Sequence, residues 1–113
     1  MPVTNPDVLK IRLLRDMYKD NYFPDHLVKR GEEILLRLCE ALEKNPPDGL
    51  ADLYALTQQA TNEFNELQEA FEDAGSEIET VARESIGESF YLIARAYGFE
   101  NADPETLIAT REW

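Results

Sequence analysis

Apolar residues recur along this chain at spacings of three and four, the period of one helix face, and never alternate long enough to suggest a strand. The pattern is clearest between residues 50 and 74. Leu50, Leu53, Thr57, Ala60, Phe64, Leu67, Phe71 and Ala74 form one seam there, and Gly75 follows as a left-handed stop. A second seam, Leu27, Gly31, Ile34, Leu38 and Ala41 with Leu35 and Leu42 alongside, predicts a helix from Asp25 to Lys44. Asn45-Pro46-Pro47-Asp48-Gly49 closes it. A third, Ile78, Ala82, Ile86, Phe90, Ile93 and Tyr97, predicts a helix opened by a Ser76–Glu79 capping box and ended by Gly98.

Nearer the N-terminus, Asn5-Pro6-Asp7 reads as a helix cap, a first-turn proline and a first-turn acid. Val8, Ile11, Leu14 and Tyr18, widened by Leu9 and Leu13, predict a single helix running to Met17 or Lys19. Pro24 breaks the chain before the Asp25 helix. Asp103-Pro104-Glu105 opens one short final turn through Leu107 and Ile108, and Trp113 is expected to pack back on the domain. Connections of a few residues make successive helices antiparallel. The expected architecture is one all-α domain over residues 1–113, an up-and-down four-helix bundle with a short fifth C-terminal helix.

Charge changes this picture by its distribution. The net charge is −12, and residues 1–44 contribute none of it. Residues 45–113 hold all of the excess, with Arg83, Arg95 and Arg111 as their only bases. No Lys or Arg occurs between Lys44 and Arg83. Nucleic-acid affinity comes largely from cations that neutralise phosphates, so direct DNA or RNA binding is not expected, nor docking on an anionic membrane. No apolar run reaches the roughly 20 residues that span a bilayer. Met1-Pro2-Val3-Thr4-Asn5-Pro6-Asp7 has neither the basic nor the apolar part of a signal peptide, which places the expected location in the cytoplasm. The single cysteine, Cys39, lies in an apolar run and reads as a buried, inert thiol.

Candidate chemistry is sparse. A di-iron bundle needs Glu-x-x-His on two helices, whereas this chain has one histidine, His26, preceded at that spacing by Phe23. Ligand count rules out a Cys/His zinc site. Cys39 and His26 lie thirteen residues apart on one expected helix, about 20 Å, too far for a nucleophile–base pair. There is no glycine-rich phosphate cradle of the usual motifs. No cofactor or metal is expected. Of the two glycines inside expected helices, Gly31 suits a close helix approach, and a kink at Gly87 could open a small pocket.

The outer side of the 50–74 segment is acidic. At 100° per residue, Asn62, Glu66, Glu69 and Asp73 fall within about 60° of one another, opposite Phe64, Leu67 and Phe71, with Glu63 and Glu72 on the shoulders. Glu69 and Asp73 repel at i, i+4, and Glu72 and Asp73 sit where the helix dipole disfavours anions.

Thr4-Asn5-Pro6, Met17-Tyr18, Tyr22-Phe23-Pro24, Gly75-Ser76-Glu77-Ile78-Glu79-Thr80, Ala96-Tyr97-Gly98-Phe99 and the closing Arg111-Glu112-Trp113 together resemble a family of small bacterial proteins known as a domain of unknown function. The resemblance implies a bacterial, cytoplasmic setting and brings no catalytic residues.

Two functional readings remain open. In the first, the chain is a non-enzymatic interaction module, immunity-like or inhibitor-like, that presents Glu63, Glu66, Glu69, Glu72 and Asp73 to a basic partner protein. In the second, Tyr22, Phe23 and His26, with Tyr54, Tyr91 or Arg95, line a pocket for a small ligand or a reaction.

Overall fold

The computed structural model describes residues 3–113; Met1 and Pro2, part of the stretch read above as lacking an export signal, lie outside the described residues. Among the described residues every regular element is helical: α1 (Pro6–Lys10), α2 (Arg15–Lys19), α3 (Asp25–Lys44), α4 (Leu50–Asp73), α5 (Thr80–Ala96) and α6 (Pro104–Leu107).

The framework is the α3–α4 hairpin. The two helices run antiparallel: Phe23 meets Phe71, Gly31 lies beside Phe64, and Arg37 reaches Glu63. The α4 seam is buried over its middle, at Leu53, Thr57, Ala60, Phe64, Leu67 and Phe71; at its ends Leu50 is partly buried, and Ala74, expected on the same seam, is exposed because α4 stops at Asp73. A methyl group on Gly31 would stand 3.0 Å from both Leu14 Cδ1 and Phe64 Cε1, so the missing side chain is what lets three elements meet there. α5 continues unbroken through Gly87 and packs Phe90 against Phe64, ring centroids 5.9 Å apart.

Both long helices that end in glycine do so by the same device. Gly75 (φ 80°) and Gly98 (φ 91°) adopt the left-handed conformation. After α4, the Gly75 and Ser76 N–H groups return to the carbonyls of Glu72 and Phe71; after α5, those of Gly98 and Phe99 return to Arg95 and Ala94. These are Schellman closures. They also correct the expected capping box. Ser76 serves as the residue that closes α4, so its backbone is not placed to open the next helix. Residues 76–79 are irregular, α5 starts at Thr80, and Glu79 is its cap residue with no side-chain capping bond.

The larger correction is at the N-terminus, where one expected helix is two. α1 ends at Lys10, and Leu14, with φ 58° and ψ 31°, precedes α2 in the left-handed region. The apolar pattern explains the break. On a straight helix, Val8 and Met17 would project from opposite sides, about 180° apart at 100° per residue. Both are buried, together with Leu13 and Leu14. Only a bent path turns all four inward, and the left-handed leucine, a conformation costing about 1–2 kcal/mol, is its consequence. Leu9 remains 66% exposed. The bundle therefore has three long helices, with a broken segment in the place of the fourth.

The tail returns along α4. Asn65 Nδ2 donates to the Thr110 carbonyl and Asn65 Oδ1 accepts from the Glu112 N–H, at 3.0 and 2.9 Å. Gln58 Nε2 donates to the Thr106 carbonyl. Asp103 caps α6 through the Thr106 N–H, and Trp113 is buried against Phe64.

Candidate functional site

α4 carries three chemically different faces. Its apolar seam meets α3, Gln58, Thr61 and Asn65 hold the tail, and its outer side carries the acids. Glu66, Glu69, Glu72 and Asp73 are exposed, and among the described residues none of their carboxylates forms a hydrogen bond or ion pair. Glu63 differs. It is half-buried and accepts from Arg37 Nη2 at 2.8 Å, an ion pair across the α3–α4 surface. A cleft of about 230 Å3 lies beside it, where Arg30, Glu33 and Arg37 of α3 face Glu63 and Glu66. The acidic side is thus flanked by α3 cations along one edge and left open from Glu69 to Asp73.

The six aromatic, His and Arg candidates are not gathered around one cavity. Phe23 is fully buried between Tyr22 and Phe71, with ring centroids at 5.1 and 6.3 Å, and acts as core. Tyr22 is 44% exposed, and His26 is exposed on the first turn of α3. Tyr54 stands near the other end of α4, about 25 Å along the helix from Phe71 by residue count, where its hydroxyl accepts the Asp103 N–H at 2.9 Å. On α5, the Arg95 guanidinium lies over the Tyr91 ring, 5.7 Å from its centroid. Packing and local bonds account for each of Phe23, Tyr54, Tyr91 and Arg95 where it stands.

Two features went unread in the sequence. The first is a carboxylate clamp. Glu43 accepts the backbone N–H groups of Thr4 and Asn5, the Thr4 hydroxyl and the Tyr97 hydroxyl. Asn5 completes the tie by donating to the Ala96 carbonyl while its Oδ1 caps α1. The Tyr97 hydroxyl, helped by Thr4 and Asn5, holds the Glu43 carboxyl well below its ordinary range, at about 2. Burial, and then Glu43 itself, push the Tyr97 hydroxyl the opposite way. Cys39, beside this network, is buried with its thiol pushed up to about 12 by desolvation, which leaves no thiolate for chemistry near neutral pH.

The second is a groove of about 570 Å3 between the α1–α2 break and α5. Lys10, Arg12 and Arg15 line one side of it and Ser85, Glu88 and Ser89 the other. A straight first helix would have had no such opening, so the sequence carried no signal for it beyond two arginines within an unusually apolar segment. Among the described residues, no three His, Cys, Asp or Glu side chains are gathered as metal ligands, and no helix is long and apolar enough to cross a membrane.

Fold and surface together define a small all-α protein with an acidic outer helix face. Residues 7–113 match the family of unknown function DUF5713, and the chain belongs to that family. No curated protein and no solved structure matches it.

Proposed function

We propose that this chain is a non-enzymatic interaction module that docks a basic partner protein on the outer face of α4, acting in the bacterial cytoplasm in the manner of an immunity protein or inhibitor. One observation carries the reading. Glu66, Glu69, Glu72 and Asp73 stay exposed and unpaired on a helix whose opposite side is wholly buried. The repulsion of Glu69 and Asp73 at i, i+4 and the position of Glu72 and Asp73 at the negative end of the helix dipole each cost a few tenths of a kcal/mol, which local stability alone would not favour. A one-signed surface of this kind speeds encounter with an oppositely charged partner more than it deepens affinity.

The test is a charge reversal. Glu66→Lys, Glu69→Lys and Asp73→Lys together should abolish capture of cationic proteins from the native cell extract at low salt. The helical circular-dichroism spectrum should remain that of the parent chain. Capture that survives the triple reversal refutes the reading.

A further inference from the structure

The groove at the broken N-terminal segment has the composition of a ligand site. Its α5 side presents Ser85 and Ser89, one helical turn apart and only 5% and 3% exposed. The Ser89 hydroxyl accepts the Leu14 N–H at 3.1 Å and so fixes the left-handed turn. The Ser85 hydroxyl has no hydrogen-bond partner among the described residues. It opens on the groove and is free to bond a group that enters it. The other side brings Lys10, Arg12 and Arg15, all exposed and free of ion pairs among the described residues. Leu14, among the described residues the one outside glycine with a positive φ, sits between the two sides.

We propose that this groove binds a small phosphate monoester that also carries hydroxyl groups. Two guanidinium forks, an ammonium and the Ser85 hydroxyl offer more donors than the two oxygens of a carboxylate can accept, whereas a phosphate monoester presents three strong acceptor oxygens. Asp16 and Glu88 also line the groove. They accept hydrogen bonds from ligand hydroxyls and repel any longer polyanion. The net charge of −12 does not oppose a single phosphate here, because exposed charges beyond about 8–10 Å are largely screened at physiological salt. An extended nucleic acid would have to run on over the acidic surface.

The experiment is an amide chemical-shift titration of the full chain with glucose 6-phosphate, with arms of glucose, sodium acetate and a single-stranded oligonucleotide at matched ionic strength. Saturable shifts confined to residues 10–16 and 85–92 are expected with glucose 6-phosphate, and none with glucose. Arg12→Ala and Arg15→Ala, both at exposed positions, should each weaken binding about tenfold, the loss of one charge-assisted hydrogen-bonded contact. Ser85→Ala should weaken it severalfold. Shifts that climb linearly and scatter over the surface would overturn the proposal, as would equal binding of acetate or tighter binding of the oligonucleotide. If a variant does not fold, the location of the shifts in the parent chain still decides the matter.

Discussion

The α3–α4 hairpin and the α1–α2 segment are both rich in apolar residues, yet one forms two long regular helices and the other breaks after five residues. The difference lies in phase. Along α4 the large apolar positions of the seam stay on one side from Leu53 to Phe71, so a straight rod buries them. Between Val8 and Met17 they drift to opposite sides, and the chain bends to bury both. The hairpin is then held by interlocking side chains. The bent segment needs polar ties as well: Glu43 and Ala96 at its start, Ser89 at its elbow. Density of hydrophobic residues sets how much can be buried, and their phase sets the path.

Four substitutions probe this contrast. The largest effect belongs to the hairpin: Phe64→Ala, which empties the junction of α4 with Gly31, Phe90 and Trp113, should cost about 3–5 kcal/mol in denaturant unfolding. A cost below 1 kcal/mol would place the centre of the core elsewhere. Next is a pair of glycines. Gly31→Ala crowds Leu14 and Phe64 at 3.0 Å; overpacking of about 1–3 kcal/mol exceeds the roughly 1 kcal/mol gained in helix propensity, so the net change is a loss. Gly87→Ala meets only Ile108 at an ordinary 3.6 Å and should gain about 0.5–1 kcal/mol. Equal signs for the two would remove the close approach from the account.

The smallest effect at neutral pH is Glu43→Gln, which loosens the tie on the N-terminal segment. Its signature is a pH profile. The folded-state value of about 2 lies below the ordinary 4.5, so the stability that ionised Glu43 contributes is complete above about pH 4.5 and disappears as pH falls through about 2. Melting temperatures of parent and variant should therefore differ most near pH 6 and converge towards pH 2. A constant gap would show that the clamp acts through shape and not through charge.

The sequence disclosed the helices wherever phase and punctuation agreed. α3, α4, the glycine stops at Gly75 and Gly98, the Asp103 cap and the buried Trp113 were all legible as local signals. It misled where one signal had two uses. Ser76 has the residues of a capping box around it, but closing α4 claimed its backbone first. Val8 to Tyr18 has helical spacing in part, and only the tertiary surface it must cover reveals that a straight helix leaves Met17 outside. At the surface, the exposure of Glu66, Glu69, Glu72 and Asp73 followed from the seam opposite them. The Glu43 clamp and the Ser85 groove join residues dozens of positions apart, which no local pattern announces.

The buried indole at position 113 has a practical consequence. It is the sole tryptophan of the chain, it rests on Phe64, and the residues that carry it there contribute no helix after Leu107. Its emission therefore reports peeling of the final segment away from α4, an event to which far-ultraviolet dichroism is blind. A fluorescence transition that precedes the dichroic one would time the loosening of this strap against melting of the rods beneath it.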